Sequence, residues 1–505
     1  MKFIQRSNPN QAELFCLEQA VDPDNLVRLI HLFVLSLNLS DFGFKTDFVE
    51  NGRPAYHPSD LLRLYIYGYL NKIRSSRDLE KECKRNIEVM WLLGSLRPDH
   101  NTISNFRRDN PQAIKKVFRS TVKLAKHFEL IGGELLAGDS TKLRAQNSKK
   151  RNFNAKKIER NLSYIESRLE EYNAILASED GDENQKKEAR QKIAQHLGNK
   201  ENYLQMQKQL EQSGDTQISL TDTESRQLIT RNNITEVAFN IQSTTDDKHF
   251  IPVDYLVTNE NDSKAMGPMA RRAKTIIGHT NFILLYDKGF HTGSEFEYAD
   301  RHDIEVMVAV PELASHAPDT AFDIKHFRYD KISDTYTCPA NQQLTTNGSW
   351  YNKNRGKSIN KVKHYKTKAC LSYPMFEGCT KNKEGRLIER SEYADLIDAN
   401  LERNQKNKNL YKKRQAIIEH NYGIIKRQWG FYYIMTKQGM KRATADVGLI
   451  FTAYNLRRIF NIIGTERLKK HFGSLIIKIC LLQTYFKQVW AIFKFEKPNF
   501  EFSLT

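Results

Sequence analysis

No apolar run in the chain approaches the roughly 20 residues that a membrane span needs, so a transmembrane anchor is not expected. Cysteine is scarce. Six cysteines in 505 residues do not make a disulfide scaffold, and Cys16, Cys83 and Cys480 read as ordinary buried side chains. The opening residues, MKFIQRSNPNQAELF, lack the apolar stretch and small-residue cleavage site of a secretory leader, which leads to the expectation of a cytoplasmic protein. A Gly-rich phosphate loop of Walker type is missing as well, so no nucleotide cofactor is expected. Acidic residues are in the minority, 60 against 78 Lys and Arg, and the formal net charge of +18 favours a polyanionic partner through phosphate neutralisation and counterion release. Part of the excess is concentrated: residues 351–390 hold eleven Lys and Arg against three Glu.

The chain is too long for one compact core, so at least two structural units are expected. Residues 1–130 read as an all-helical N-terminal domain. His57-Pro58-Ser59-Asp60 suits the first turn of an apolar helix, LLRLYIYGYL. Arg77 to Leu93 reads as one helical run ending at Gly94. Asp99 is placed to cap a short helix with Ile103 and Phe106 inward. That helix leaves Asn101, Thr102, Asn105 and Arg108 outward, a polar set able to touch DNA base edges or phosphates in a helix-turn-helix arrangement, or simply to face solvent. Asn110-Pro111 opens a further helix with Ile114, Val117, Phe118, Thr121, Ala125 and Phe128 on one face, stopped by Gly132-Gly133.

Beyond Gly133 the pattern changes. ELLAGD reads as a short strand finishing in Asp139, and EVAFNIQST, HFIPVDYLV, FILLYD and IEVMVAV as further strands separated by helical stretches, which argues for a mixed α/β sheet. Two insertions interrupt it. Residues 150–215 carry Ile158, Leu162, Ile165, Leu169, Tyr172 and Leu176 at helical spacing and read as a helical hairpin turning at SEDGDEN. Residues 312–400 read as a basic, loop-rich, cysteine-containing insertion. The sheet would then consist of 131–149 and 216–311, followed by a helical region at 401–465 and a basic aromatic tail at 466–505.

Asp139 and Asp287 both stand at expected strand ends, where a carboxylate can face a cleft, although Asp is also an ordinary turn former there. Glu419 lies in a helix with Tyr422 and Lys426 on the same face at i, i+3 and i+7. Three carboxylates from distant positions suit two-metal phosphoryl transfer, in which hard oxygen ligands hold Mg²⁺ ions about 4 Å apart and no protein nucleophile is needed.

The blocks GDSTKLRAQNS, YDKGF and IIEHNYGIIKRQWGF, in this order, resemble the three catalytic blocks of DDE transposases. The insertion-sequence 1182 family, related to the insertion-sequence 4 group, is the nearest resemblance. HPSDLLRLYIYGYLNKIRSSRDLEKEC, RPDHNTISNFRRDN, TDTESRQLI, AFNIQSTTDDKHFIPVDYLVTNENDSKAMGPM and ERSEYAD agree with it, extending the likeness over about 55–460. The resemblance implies a multidomain α/β protein: an RNase H-like mixed-sheet catalytic core with helical and loop-rich insertions, preceded by a helix-turn-helix-like domain. It implies catalytic and metal-binding roles for Asp139, Asp287 and Glu419 around two Mg²⁺, with Mn²⁺ as a substitute. Its Tyr, Arg, Glu, Lys signature maps onto Tyr411, Arg414, Glu419 and Lys426, with Arg414 one residue further from Glu419 than that pattern has. DNA contacts are expected from Tyr411, Arg414, Tyr422, Lys426 and Arg427. The implied substrate is double-stranded DNA, both the inverted-repeat ends of a mobile element and its target, in the bacterial nucleoid. Since an element has two ends, a homodimer is the simplest assembly.

The family often carries a Cys-x-x-Cys pair in the second insertion. Here Cys338, Cys370 and Cys379 are present, with Tyr373 where a partner for Cys370 would stand. These three thiols would need His364 or another group to complete a tetrahedral zinc site, and a metal-free loop is the alternative. Asp262 matches a recurrent acidic position of the resemblance or caps a helix, while Trp429 would stack on an unpaired base or pack in a core. His249, His291 and His420 flank the expected site. Two other functions use the same features: a metal-dependent nuclease that cuts without joining, and a non-catalytic DNA-binding repressor.

Overall fold

The computed structural model describes residues 15–47, 54–178, 182–230, 234–312, 317–355 and 358–495. The expectations for the opening residues 1–14, for the centre of the hairpin turn at 179–181 and for the last part of the tail, 496–505, lie outside them.

Side-chain caps place the first helices. Asn25 accepts from Val27 N at the start of α1 (Leu26–Leu35), and His57 accepts from Ser59 N before α2 (Pro58–Leu70), whose Pro58 occupies the first turn. The single run expected from Arg77 to Leu93 is two helices, α3 (Ser76–Arg85) and α4 (Ile87–Leu93). Asn86 divides them: its backbone is extended, and its side chain accepts from Glu88 N and Val89 N to begin α4. Asp99 caps α5 (His100–Asp109) through Asn101 N and Thr102 N. In α6 (Pro111–His127) Ile114, Val117, Phe118, Thr121 and Ala125 are buried as expected. Gly132-Gly133 does not end it. Glu129, at φ 55°, turns the chain, while Leu130 N closes on Ala125 O at 2.9 Å.

Strand β1 (Leu135–Arg144) continues past Asp139, because Thr141 and Leu143 keep alternating into the interior. The first insertion is the expected hairpin of α7 (Ala155–Ala177) and α8 (Glu183–Ser213), with Ile158, Leu210 and Phe153 in a small core at its base. Next come β2 (Arg226–Ile229), β3 (Thr235–Asp246), β4 (Pro252–Thr258), α9 (Met266–Ile277), β5 (Ile283–Tyr286), α10 (Gly293–Asp300) and β6 (Glu305–Val308). The second insertion has more regular structure than its composition suggests. It holds one three-stranded sheet of Arg328–Asp330, Thr335–Thr337 and Gln343–Leu344, and another of β7 (Trp350–Arg355), β8 (Ser358–Tyr365) and β9 (Ile388–Ser391). Phe327, Tyr336, Leu344, Tyr365 and Ile388 give it a core of its own. The chain closes with α11 (Ala394–Lys406), α12 (Lys408–Tyr422), a π-helical segment at Gly423–Gln428, α13 (Met440–Ile463) and α14 (Thr465–Phe495).

These elements form two compact units. The first comprises Met1–Gly132, Ser140–Glu260 and Glu419–Thr505. In it β3 pairs antiparallel with β2 and with β4, the latter with a register shift at Thr244/Thr245, and Ala145 N, just past β1, donates to Val237 O. Helix α13 is buried nearly all round and packs along α6 and α2. It nevertheless carries Asp446, fully buried, which accepts from Arg74 at 2.6 Å, Arg107 at 3.4 Å and the Tyr69 hydroxyl. The second unit comprises Gly133–Asp139 and Asn261–Ile418. There β5 runs parallel to both β1 and β6, and Asn400 of α11 bonds both the N–H and the carbonyl of Val308 at 2.9 Å. Among the described residues no helix is long and apolar enough to cross a membrane.

Candidate active site

In the second unit, β1 and β5 bring two expected site residues together. Their parallel register pairs Leu135 with Ile283, Leu136 with Leu284 and Ala137 with Leu285. Two residues beyond the last pair come Asp139 and Asp287, at corresponding positions along the two neighbouring chains. Asp139 is therefore inside β1 rather than at its end, while Asp287 directly follows β5 and caps the next turn by accepting from Gly289 N at 2.9 Å.

The strands approach closely because Gly138 has no side chain. A Cβ there would stand 2.1 Å from the Tyr286 ring, which fills the space on the adjoining strand. Helix α12 holds both carboxylate-bearing segments. The Tyr411 hydroxyl donates to Tyr286 O at 2.8 Å, and one turn later Arg414 reaches Asp139 at 3.2 Å. Burial raises the Tyr411 pKa; Arg414 pulls it down, and the charges of Asp287 and Asp139 push it up. One phenol thus senses both carboxylates. Asp262 adjoins them as well: a Cβ on Gly289 would lie 3.1 Å from Asp287 Oδ1 and 3.8 Å from Asp262 Oδ2.

The remaining expected residues belong to the first unit. Glu419, five residues after Arg414 on α12, is exposed. Tyr422 shares a 2.7 Å hydrogen bond with Ser243, and Lys426 donates to Lys142 O at 3.0 Å. Lys426 and the exposed Arg427 lie in the π-helical segment, so the simple i, i+7 relation between Glu419 and Lys426 does not hold. In α5, Asn101 and Asn105 are exposed, Thr102 donates to the capping Asp99, and Arg108 pairs with Asp109 at 2.6 Å. Trp429 is a core residue, only 4% exposed, packed against Phe431 and Tyr454. His420 bonds the Tyr454 hydroxyl at 2.8 Å.

Asp139 and Asp287 fit a hard divalent cation by donor type, both being carboxylates, with Asp262 close by. The cysteines are arranged differently. Cys338, Cys370 and Cys379 line one small cavity of about 20 Å³ with Tyr373, Phe322 and Phe327. Burial pushes the Cys379 thiol up; Arg386 acts in the opposite direction, and Cys370 and Cys338 add to the rise. His364 does not line that cavity and stacks on Tyr351, ring centroids 4.4 Å apart, so it does not supply the fourth zinc ligand. Among the described residues no three His, Cys, Asp or Glu side chains are grouped to hold a metal ion. Cys16 and Cys480 are exposed, contrary to expectation, and only Cys83 of the scattered three is buried.

Two stretches match transposase families. Residues 15–109 match the family model described as Transposase domain (DUF772), and residues 337–460 the one described as Transposase DDE domain. The second stretch includes Tyr411, Arg414, Glu419 and Lys426. Together the matches support a DDE transposase. No curated protein matches the chain. Among solved structures, a piggyBac transposase synaptic complex with hairpin DNA is similar at 8% identity and a TM-score of 0.32, covering 96% of this chain and 84% of that one; the likeness is too slight to assign a fold.

Proposed function

We propose that the chain is an insertion-sequence transposase of the insertion-sequence 1182 type, which binds terminal inverted repeats and performs metal-dependent cleavage and strand transfer. The observation that carries this reading is the corresponding placement of Asp139, on one strand, and Asp287, just past its parallel neighbour, both tied to the helix that continues into Glu419. In this reading the sheet is an RNase H-like core, and α5, with Asn101, Thr102, Asn105 and Arg108, is the reading helix of a helix-turn-helix-like domain.

A Mg²⁺ pair, when bound by Asp139, Asp287 and Glu419, supplies activation of the attacking oxygen and charge balance at the leaving 3′-oxygen. Arg414 offsets the charge of Asp139 and orients its carboxylate. Tyr411 fixes the chain that presents Asp287. Lys426, Arg427 and Tyr422 contact the DNA backbone near Glu419. The protein works as a homodimer on paired ends, associated with the nucleoid.

The test supplies a labelled duplex carrying the element's inverted repeat, already cut to leave a 3′-hydroxyl, with target DNA and Mg²⁺ or Mn²⁺. Joined product, lost on chelation and in Asp287→Asn, is expected. Cleavage without joining identifies a nuclease, and binding without either reaction a DNA-binding repressor.

A further inference from the structure

A polar cavity lies in the second unit, and no carboxylate is among the residues that line it. It measures about 390 Å³ and is lined by Arg271, Lys274, Thr275, Gly278, His279 and His302. Two of these side chains are basic and two are imidazoles; none is acidic. Arg271, Thr275, Gly278 and His279 are exposed, so the cavity opens to solvent rather than enclosing a small molecule.

Its inner wall is built rather than casual. Lys274 is drawn across the opening by a 2.7 Å bond to His302 O. His302 is oriented by its own Nδ1, which donates to Tyr298 O at 2.8 Å, and by stacking on the Tyr298 ring at 4.6 Å. His302 Nε2 is then the acceptor of the ring, so the donors that meet a phosphate come from Arg271 and Lys274 rather than from this imidazole. Arg271, by contrast, has no ion-pair partner among the described residues, and its planar fork of donors matches the oxygens of a phosphate. One effect opposes an anion here. The cavity lies at the C-terminal end of α9, whose partial negative charge costs a nearby anion on the order of 0.3–1 kcal/mol. Two full positive charges outweigh it.

We infer that this cavity is a phosphate-binding subsite that seats a backbone phosphate of duplex DNA, apart from the carboxylates. The inference rests on the transposase reading for its DNA partner and adds to it a specific anchoring point. A backbone contact positions the duplex without reading its sequence, so its loss weakens cognate and unrelated DNA alike.

The experiment compares wild type, Arg271→Ala/His279→Ala and Arg271→Lys by fluorescence anisotropy on cognate and random duplexes across a salt series. Both substituted side chains are at the surface, and thermal melts verify that the variants fold. The double variant is expected to bind both duplexes severalfold more weakly, with the slope of log K against log salt reduced by about 1, and Arg271→Lys to retain most of the affinity. Unchanged affinity and slope in the double variant, with wild type binding DNA, would overturn the subsite and leave the transposase reading standing. Wild type binding no duplex at all sinks both. Titration with inorganic phosphate alone is expected to show no saturable binding; saturable binding lost in the double variant, with DNA affinity intact, would reassign the cavity to a small anion.

Discussion

Arg414 Nη1 donates to Asp139 Oδ2 at 3.2 Å, with the two side chains 18% and 21% exposed. The sequences that supply them are 275 residues apart, yet the helix delivers the cation to the carboxylate expected to handle the scissile phosphate. Arg414→Ala should therefore lower the single-turnover cleavage rate by about tenfold or more through a misplaced carboxylate, while duplex affinity changes little. Thermal melts should move only slightly, because a partly exposed pair contributes about 1 kcal/mol or less. An unchanged cleavage rate would remove Arg414 from the site.

The close approach at Gly138 makes a second prediction. Gly138→Ala forces a methyl group into the Tyr286 ring, and overpacking of this kind costs about 1–3 kcal/mol. A smaller residue at the second position, as in Tyr286→Leu, should restore part of that loss. In a double-mutant cycle followed by urea unfolding, a coupling of about 0.5 kcal/mol or more is expected, and strict additivity would count against the contact.

Asp446 predicts an acid sensitivity of the helical unit. Burial alone would raise its pKa, but Arg74, Arg107 and the Tyr69 hydroxyl more than offset this and hold it below the usual carboxylate value. A carboxylate depressed in the folded state contributes stability that is present in full above its unfolded pKa of 3.8 and is lost as pH falls through the lower folded value. Urea midpoints should therefore drop below about pH 4 in wild type, and this component should vanish in Asp446→Asn. Asp446→Ala leaves two guanidinium groups buried without their anion and should cost about 3–5 kcal/mol at neutral pH.

Much of the architecture is legible in local chemistry. The cap at Asp99, the first turn at Pro58, the hairpin of α7 and α8 and the strands β3, β4, β5 and β6 follow from residue type and spacing. Where the reading departs, a side-chain or packing effect outside the periodic pattern decides. Arg77 to Leu93 shows one continuous helical rhythm, but Asn86 offers its own amide oxygen to the next turn and breaks it. Glu129 adopts positive φ before the glycines that look like the natural stop. Asp139 looks terminal because glycine and two hydroxyl residues surround it, while the strand continues through Thr141 and Leu143.

The site was legible only in pieces. Asp139 and Asp287 stand out as carboxylates after apolar strands, but nothing in their spacing discloses the shared register. Tyr411 reads as a DNA contact, and the bond of its hydroxyl to Tyr286 O is a partner that no spacing in the sequence discloses. The basic cavity gave no signal at all, since Arg271, Lys274, His279 and His302 are commonplace in a chain of this charge and meet only through folding.

The π-helical segment at Gly423–Gln428 changes how insertions and deletions in this stretch should be understood. Such a segment amounts to one surplus residue accommodated in the last turns of a helix, so shortening it by one restores ordinary winding there instead of breaking the helix. A one-residue deletion there is the length change this region is best built to absorb, but it would swing Lys426 away from the Lys142 carbonyl that now receives it. Integrity of the helix and placement of its basic side chains can therefore be separated by a single codon.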